Sequence, residues 1–409
     1  MLSIKNEHNE KQAKLFLNDG TVLDGLLVGA QKNCFGELVF NTAMTGYLET
    51  LTDPSFLNQV VVQTFPLIGN CGVCAADQES NRSWVNGLIV NQICNEPSNF
   101  RNEQNLTNWL IENDVVAISN INTRALTKKI RSAKVNYCAI VSDFLNLNLD
   151  LEKLTSDAAS FAEREAAFEE LISNLIREQK KAVELVSTSE IKRFTRHDFN
   201  YSNSSLVLNK INFTKTNFKI CVLDFGTKMN IIRNLACRCE QVLLLPHNTT
   251  PQEIKSLNPD GIVLSNGPGD PADNKQIIEN LKQIQSFKIP IFGICLGHQL
   301  LALANGAETK KLKFGHRGGN QPVLDTETKK MLLTSQNHGY MVDAATVKAD
   351  VAKISFLNIN DGTCEGLKFL KFPAFSVQFH PEACSGPCDA NFLFDEFFEL
   401  IKKSKNRLK

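Results

Sequence analysis

The first 150 residues carry short apolar runs separated by turn residues. Residues 13–17 and 21–28 alternate like strands, and Asn18, Asp19 and Gly20 between them tolerate the positive φ of a tight turn, which predicts a hairpin. Further strand-like runs lie at 37–40, 60–65, 87–90 and 115–118. Helical spacing occurs at 103–112 and 123–130. The pattern predicts a smaller N-terminal α+β domain over residues 1–150.

The segment that follows has a different character. Between residues 161 and 176 the apolar positions recur at roughly helical spacing among charged residues and alanines. The stretch from residue 193 is polar, and residues 200–205 resemble a loop. We therefore expect residues 151–217 to form a helical connector.

From residue 218 onward, continuous apolar runs alternate with helical patterns. Strands are predicted at 219–223, 241–245, 261–264 and 289–294. Helices are predicted at 230–236, 252–256 and 274–286. This alternation predicts an α/β domain over residues 218–409, with a mostly parallel sheet flanked by helices. Ligands of such sheets bind at the C-terminal ends of the strands, so functional residues are expected there.

Composition narrows the possible functions only modestly. Lys plus Arg equals Asp plus Glu at 44 each, which gives no overall argument for a nucleic-acid partner or an anionic membrane. No run approaches the ~20 apolar residues that cross a bilayer, and the first residues lack a secretory signal, so a cytoplasmic location is expected. Cys71 and Cys74 form a C-x-x-C motif, but no second close pair accompanies it. We therefore expect reduced thiols and no metal site.

The sharpest chemical feature is a cysteine between two glycines. Residues 293–297 read G-I-C-L-G, after an apolar strand and before a helical run, which is typical of a nucleophile elbow. Gly293 and Gly297 let strand and helix approach closely. At the start of a helix, the Cys295 thiolate gains from the dipole and from free N–H groups. A buried structural cysteine is the alternative, and the two glycines disfavour it.

A second feature supplies a base for this thiol. Residues 375–383 read F-S-V-Q-F-H-P-E-A, so that His380 and Glu382 can point to the same side of an extended segment. Glu382 can orient the imidazole and stabilise its charge while His380 takes the proton of Cys295. Alone this motif is weak, but with the elbow it completes a Cys–His–Glu triad.

A third feature is a glycine-rich turn after a predicted strand. Residues 264–271 read L-S-N-G-P-G-D-P and lack the Gly-Lys-Ser/Thr ending of a phosphate-binding P-loop. The turn can be an ordinary loop, or its open backbone N–H groups can bind an oxyanion.

These three motifs, in this order, resemble the class I glutamine amidotransferases over residues 218 to about 400. The resemblance implies that Cys295 attacks the side-chain amide of L-glutamine, giving a glutamyl thioester and ammonia, and that water then releases glutamate. It also implies that the backbone N–H groups of Gly269 and Leu296 stabilise the oxyanion.

Motifs elsewhere in the chain narrow the resemblance. Residues 40–47 read F-N-T-A-M-T-G-Y, 51–55 read L-T-D-P-S, 224–233 read D-F-G-T-K-M-N-I-I-R, and 336–340 read Q-N-H-G-Y. With these, the chain resembles the small, glutamine-hydrolysing subunits of carbamoyl-phosphate synthases nearly throughout, except over 151–217. The resemblance implies a heterodimeric partner, a large synthetase subunit that makes carbamoyl phosphate from bicarbonate, ATP and the ammonia. The product would feed pyrimidine and arginine synthesis.

The resemblance also assigns cofactors and substrate contacts. No ATP-binding motif is recognised in this chain, so no cofactor is expected here, and ATP and Mg are expected on the large subunit. The glutamine contacts carried over from the family are Ser55, Gly267, Gly269, Leu296, Gln299, Asn337, Gly339 and Tyr340. Ser55 is equally compatible with a plain turn residue. His298 and His338 are expected to be structural, because only His380 has a glutamate two residues later.

Three alternatives stay open from the sequence. Another class I amidotransferase, such as the glutaminase of anthranilate or GMP synthesis, would explain 218–400 but not the N-terminal motifs. A free-standing hydrolase would act on a different γ-glutamyl or peptide substrate. A non-catalytic subunit would only sense glutamine.

Overall fold

The computed structural model describes residues 11–132, 135–142, 161–199, 216–383 and 386–407. The chain divides into two compact units. The first comprises Met1–Asn41, Asn58–Cys74 and Val85–Ile176, and the second comprises Thr42–Leu57, Ala75–Trp84 and Arg177–Lys409. The domain boundaries near 150 and 217 that the sequence predicts stay a prediction. Segments of the two compact units alternate along the N-terminal part of the chain.

The strands and helices are numbered in chain order. The strands are β1 (Gln12–Leu17), β2 (Val22–Gly29), β3 (Cys34–Asn41), β4 (Gln59–Gln63), β5 (Leu67–Ile68), β6 (Gly87–Ile89), β7 (Gln92–Ile93), β8 (Val116–Ser119), β9 (Tyr137–Val141), β10 (Lys192–Phe194), β11 (Lys219–Asp224), β12 (Gln241–Pro246), β13 (Gly261–Leu264), β14 (Ile291–Ile294), β15 (Thr309–Asp325), β16 (Met331–Val342), β17 (Ala352–Asn358), β18 (Cys364–Phe369) and β19 (Ala374–Val377). The α-helices are α1 (Tyr47–Thr52), α2 (Leu106–Glu112), α3 (Thr123–Ser132), α4 (Phe161–Gln179), α5 (Ala182–Val186), α6 (Met229–Ala236), α7 (Pro251–Ser256), α8 (Lys275–Ile284), α9 (Leu296–Ala304) and α10 (Phe392–Arg407).

The first unit is built on a closed barrel with the strand order β1-β2-β8-β6-β4-β3-β9. The predicted hairpin is confirmed: β1 and β2 pair antiparallel across a turn in which Gly20 has a φ of 84°. Alternate residues of the strands, such as Leu38 and Phe40 of β3 or Val60 and Val62 of β4, fill the interior. The α+β class is thus confirmed, while the closure of the sheet was not predicted.

The second unit contains a ten-stranded sheet of order β10-β12-β11-β13-β14-β19-β18-β16-β15-β17. Its centre is parallel: β12, β11, β13, β14 and β19 run in one direction. The remaining strands pair antiparallel and extend the sheet at both ends. The α/β class expected for the C-terminal part is confirmed, with antiparallel additions that the sequence pattern did not indicate.

Helices cover both faces of the parallel centre because its strands are apolar on both sides. Along β11, Ile220 and Val222 point to one face, and Cys221 and Leu223 point to the other. Residues of α6 and α10 pack on the first face, and residues of α8 and α9 pack on the second. No helix in the described ranges is long and apolar enough to span a membrane.

The region expected to be a connector contains more than helices. Both α4 and α5 agree with the helical pattern, and Phe168 of α4 packs on strands β1 and β9 in the first unit. In contrast, β10 pairs antiparallel with β12 at the edge of the large sheet, with Phe194 opposite Val242. The polar stretch from residue 193 therefore begins in a strand. The predicted loop at 200–205 lies outside the described residues.

Candidate active site

Cys295 lies where β14 ends and α9 begins. Its φ of 52° and ψ of −101° are strained for a residue with a side chain. The N–H of Cys295 donates to the carbonyl of Val377 at 2.8 Å, which anchors the turn to β19. A Cβ on Gly297 would lie 2.3 Å from the carbonyl oxygen of Leu264, and one on Gly293 would lie 2.9 Å from that of Gly297. Both flanking positions therefore require glycine for close packing.

A histidine and a glutamate follow the next strand of the sheet. Nδ1 of His380 donates to Oε1 of Glu382 at 2.7 Å, and both side chains are buried. The backbone N–H of His380 donates to the carbonyl of Ser335 at 2.9 Å, which fixes the segment against β16. Because Nδ1 binds the carboxylate, Nε2 is the nitrogen left to exchange a proton with a nucleophile.

The imidazole is held in its charged form beside the sulfur. Burial opposes a charge on the ring, but the Glu382 carboxylate and the Cys295 sulfur raise the pKa of His380 to about 10. Nε2 of His380 is buried and has no hydrogen bond of ordinary geometry among the described residues, but the ring lies near enough to the Cys295 sulfur for the sulfur to affect its pKa. Such loose contacts are common before substrate binds. The geometry suits transfer of a proton between the ring and the sulfur.

A lysine supports the glutamate from the turn after β11. Nζ of Lys228 donates to Oε1 of Glu382 at 3.0 Å, and both groups are buried. Burial raises the pKa of a carboxyl, but Lys228 and His380 together lower the pKa of Glu382 to about 2. The side chain of Asn230 donates to the backbone carbonyl of Glu382. The carboxylate is therefore ionised and fixed in position.

Two of the predicted glutamine contacts, Asn337 and Ser55, lie in the second unit, and Asn337 lies beside the sulfur. The carbonyl oxygen of Asn337 lies 3.7 Å from Sγ of Cys295, and its side chain donates to Asp53 at 3.2 Å. Oγ of Ser55 accepts from Nδ2 of Asn266 at 2.9 Å. The backbone N–H of Ser55 donates to Asp53, as in a turn. Ser55 is thus a turn residue, and its hydroxyl is also hydrogen-bonded to the loop after β13.

The glycine-rich turn after β13 packs tightly against its surroundings. A Cβ on Gly267 would lie 2.0 Å from the carbonyl oxygen of Phe225, and one on Gly269, whose φ is 89°, would lie 3.1 Å from Cβ of Ala182. Within the described residues, the backbone N–H groups of Gly269 and Leu296 donate to no protein acceptor. Both predicted oxyanion donors are therefore available.

Gln299 of α9 is held by two acceptors. Its Nε2 donates to the carbonyl of Tyr340 at 2.7 Å and to Oε1 of Gln378 at 2.9 Å. Gly339 precedes Tyr340 on β16, where an added Cβ would lie 3.4 Å from the guanidinium of Arg317. Three of the predicted contacts are thus neighbours: Gln299 is hydrogen-bonded to Tyr340, and Gly339 precedes Tyr340 in the chain.

The two other candidate histidines have different surroundings. His298 is fully buried with Nδ1 2.8 Å from Oγ of Ser376, and burial lowers its pKa to about 3. His338 donates from Nδ1 to the carbonyl of Tyr340 at 2.8 Å, and burial lowers its pKa well below the usual value. In the described ranges, neither has a carboxylate hydrogen-bonded to it as His380 has.

A separate buried cluster contains the groups most like metal ligands in the described part of the chain: His316, His338 and Glu365 have side-chain atoms within 4.8 Å of one another. His316 donates to Asp361 at 2.9 Å and has its other nitrogen 3.4 Å from Glu365. Burial opposes its charge, but the two carboxylates raise the pKa of His316. Gln336 also donates to Glu365 at 3.0 Å. These are the interactions of a buried ion pair, which a bound cation would have to disrupt.

Some residues of the site were not identified from the sequence. The sequence motifs assign no role to four residues that each contact a predicted site residue: Lys228, Asp53, Asn266 and Gln378. The available signal was a lysine in the turn between an apolar strand and an amphipathic helix, a position where burial requires a partner of opposite charge. Nothing in the local sequence indicates Asn266 or Gln378, because their contacts are long-range. Asp53 is a local turn partner of Ser55, but its contact with Asn337 is long-range as well.

The arrangement can perform nucleophilic acyl transfer. It combines a sulfur at a strained elbow, a charged imidazole on its proton-transfer path, a carboxylate that orients the imidazole, and two free backbone donors. The thiolate attacks a carbonyl carbon, the donors bind the oxyanion, and the imidazolium protonates the leaving group.

Two protein-family models match the chain. Residues 221–400 match the description "Glutamine amidotransferase class-I", and residues 15–140 match "Carbamoyl-phosphate synthase small chain, CPSase domain". The first match includes Cys295, His380 and Glu382.

Curated relatives are similar along almost the whole chain, and each is described as a carbamoyl phosphate synthase small chain. The protein of Bacillus cereus is 46% identical over 392 residues, which cover 96% of this chain and 96% of the relative. That of Clostridium perfringens is 44% identical and covers 95% of this chain and 99% of its own. That of Staphylococcus saprophyticus is 40% identical, with 97% and 98% covered.

Proposed function

Because this chain belongs to the family of carbamoyl-phosphate synthase small chains, we propose that it hydrolyses L-glutamine to glutamate and ammonia through Cys295, His380 and Glu382. The observation that carries the proposal is the sulfur at a strained strand–helix junction beside an imidazole kept charged by a buried carboxylate. The match of the N-terminal residues 15–140 disfavours other class I amidotransferases.

In the first half-reaction the thiolate of Cys295 attacks the side-chain amide carbon of glutamine. The carbonyl oxygen becomes an oxyanion that accepts hydrogen bonds from the N–H groups of Leu296 and Gly269. His380 donates its Nε2 proton to the departing nitrogen, the C–N bond breaks, and ammonia leaves behind a glutamyl thioester.

In the second half-reaction the neutral imidazole takes a proton from water. The hydroxide attacks the thioester carbon, the C–S bond breaks, and glutamate leaves while the sulfur returns to the thiolate form. Glu382 stays ionised throughout, because Lys228 and His380 stabilise its charge. It holds the ring with Nδ1 protonated, which directs Nε2 to the reaction.

The eight predicted contacts are proposed to bind glutamine around this sulfur: Ser55, Gly267, Gly269, Leu296, Gln299, Asn337, Gly339 and Tyr340. The structure adds a constraint on Gln299. Both hydrogens of its Nε2 are used by protein acceptors, so only Oε1 is left for substrate. We therefore expect Gln299 to accept from the α-ammonium group of glutamine.

The ammonia is proposed to pass to a large synthetase subunit. The ATP- and Mg-dependent steps that use bicarbonate would take place there, and the resulting carbamoyl phosphate would supply pyrimidine and arginine synthesis. The cytoplasmic location expected from the sequence stays a prediction.

The test compares glutamine with ammonia as the nitrogen donor for carbamoyl phosphate synthesis by the complex with the large subunit. Cys295→Ser should lower glutamine-dependent carbamoyl phosphate synthesis at least ~1,000-fold and leave ammonia-dependent synthesis near the wild-type rate. Cys71→Ser, at an exposed cysteine of the first unit, is the matched control and should change neither rate.

Loss of both activities would mean that Cys295 is structural. Full glutaminase activity in Cys295→Ser would exclude it as the nucleophile. Turnover by the isolated chain as fast as in the complex would favour a free-standing hydrolase. No glutamate release in any complex would favour a glutamine sensor.

A further inference from the structure

A fully buried glutamine contacts the sulfur of Cys295 and takes no part in the proton transfers proposed above. Gln378 follows β19 and precedes His380 by two residues. Its Nε2 lies 3.6 Å from Sγ of Cys295, within hydrogen-bonding distance for sulfur. The polar neighbours of the sulfur therefore include the imidazole of His380, the carbonyl oxygen of Asn337 and this amide, and of the two side chains the amide is the one that does not titrate.

The orientation of the Gln378 amide follows from the backbone carbonyl of Tyr340, which is linked to Gln378 through the side chain of Gln299. The backbone carbonyl of Tyr340 can only accept, so the neighbouring group of Gln299 at 2.7 Å must be its NH₂. The second hydrogen of that NH₂ lies toward the Gln378 side chain at 2.9 Å, which must then present its oxygen. The NH₂ of Gln378 is left facing the sulfur of Cys295.

We propose that Gln378 is a further catalytic residue, whose amide N–H donates to the sulfur of Cys295 and stabilises it as a thiolate. Gln299 and the Tyr340 carbonyl are positioning groups for this donor. The inference rests on the proposed function, since it takes Cys295 as the nucleophile.

The donor acts at two points of the reaction without transferring a proton. It favours the thiolate before attack, because a hydrogen bond to a charged acceptor is stronger than one to a neutral thiol. It favours the thiolate again as the leaving group when water cleaves the thioester. The covalent intermediate, with its neutral sulfur, benefits least.

The experiment measures ionisation of the sulfur directly. A thiolate absorbs in the far ultraviolet where a thiol does not, so the absorbance of a protein minus that of its Cys295→Ser counterpart reports this one sulfur. In Gln378→Met, which keeps the length of the side chain and removes the donor, the midpoint of the pH titration should rise by about one unit. Glutamine turnover should show about a tenfold lower kcat with little change in KM, because Gln378 contacts the sulfur and is not among the proposed substrate contacts.

The titratable groups around the sulfur are unchanged in this variant. They are His380 and, behind it, Glu382 and Lys228, with His338 on the neighbouring β16. Gln63→Met, at a buried glutamine of the first unit, is the matched control and should leave the midpoint and kcat unchanged.

A second variant keeps the test decisive if Gln378→Met does not fold. Gln299→Met leaves the donor in place but removes the group that orients it, so a smaller upward shift of the midpoint is expected. An unchanged midpoint in a folded Gln378→Met protein, or in Gln299→Met if only that variant folds, would overturn the proposal. Glutaminase activity that survives loss of the Cys295 sulfur would instead overturn the proposed function.

Discussion

Two histidines with almost no exposure to solvent differ in charge because their partners differ. His380 is bonded to a carboxylate, which raises the pKa of His380 to about 10 despite burial. Among the residues that the structure describes, His298 is hydrogen-bonded only to the hydroxyl of Ser376, and burial lowers the pKa of His298 to about 3. Burial alone therefore does not decide the charge of an imidazole, and the adjacent group determines whether it can act as an acid.

The neutral state of His298 predicts a dependence of stability on pH. Its folded pKa of about 3 lies below the unfolded value near ~6.5, so between these values the unfolded chain binds more protons and stability falls as the pH falls. The contribution is about 1.4 kcal/mol per pH unit. Between pH 6.5 and 5 the free energy of unfolding in urea should therefore decline less steeply for His298→Gln than for the wild type. The difference in slope should approach about 1.4 kcal/mol per pH unit.

The same comparison contains its own control. Above about pH 8 His298 is neutral in both states, so the wild-type and variant curves should run parallel there. Equal slopes for the two proteins on the acid side would show that His298 binds its proton in the folded state.

At the scale of elements, strand ends of the parallel sheet bring the chemistry together. Cys295 follows β14, Lys228 lies in the turn after β11, Asn266 follows β13, and His380 lies just beyond β19. These four strands are consecutive in the order β11-β13-β14-β19. Parallel strands end at one edge, so residues that are distant in sequence meet there.

The elbow depends on contact between α9 and β13, which predicts the effect of one methyl group. Gly297→Ala would place Cβ 2.3 Å from a backbone oxygen of Leu264, and backbone cannot yield without moving the helix. We expect the free energy of unfolding to fall by about 2–3 kcal/mol. Glutaminase activity should fall by about 100-fold, because displacement of a nucleophile by ~1 Å has that effect.

The matched control is Gly319→Ala on β15, where the nearest atom to a new Cβ is Pro387 at 3.5 Å. It should change stability by less than about 0.5 kcal/mol. Urea unfolding and glutaminase assays of both variants measure the difference. Equal effects of the two substitutions would contradict the close packing assigned to the elbow.

Elements with strong local patterns were predictable, and elements defined by distant pairing were not. The predicted strands at 219–223, 241–245 and 261–264 correspond to β11, β12 and β13 within one residue at each end. The long β15 mixes buried and exposed residues without regular alternation, so its sequence gives no clear strand signal. Closure of the barrel likewise depends on pairings such as β1 with β9, which join residues more than a hundred positions apart.

At the scale of the whole molecule, two negative and two positive charges lie together at the proposed site. The thiolate proposed for Cys295 and the carboxylate of Glu382 are balanced by His380 and Lys228, all buried in one unit. A buried charge is tolerated when it is paired and hydrogen-bonded. The chain as a whole is also neutral, so this local balance does not rely on a large net field.

The site was predictable from the sequence to the extent that its chemistry lies in short motifs. Cys295, His380 and Glu382 could be proposed from the sequence because the elbow and the His-Pro-Glu motif each carry a local geometric reason. The donor role of Gln378 depends on an amide orientation set by residues 38 and 79 positions away, and no local pattern contains that information.

The central claim is that glutamine becomes covalently bound to one sulfur during turnover. Acid quenching of the protein while it hydrolyses radiolabelled glutamine, followed by peptide mass spectrometry, tests this directly. The account predicts a single glutamyl group on the peptide that contains Cys295, absent from the Cys295→Ser protein. Glutamate formation with the label on another residue, or with no label at any quenching time, would contradict it.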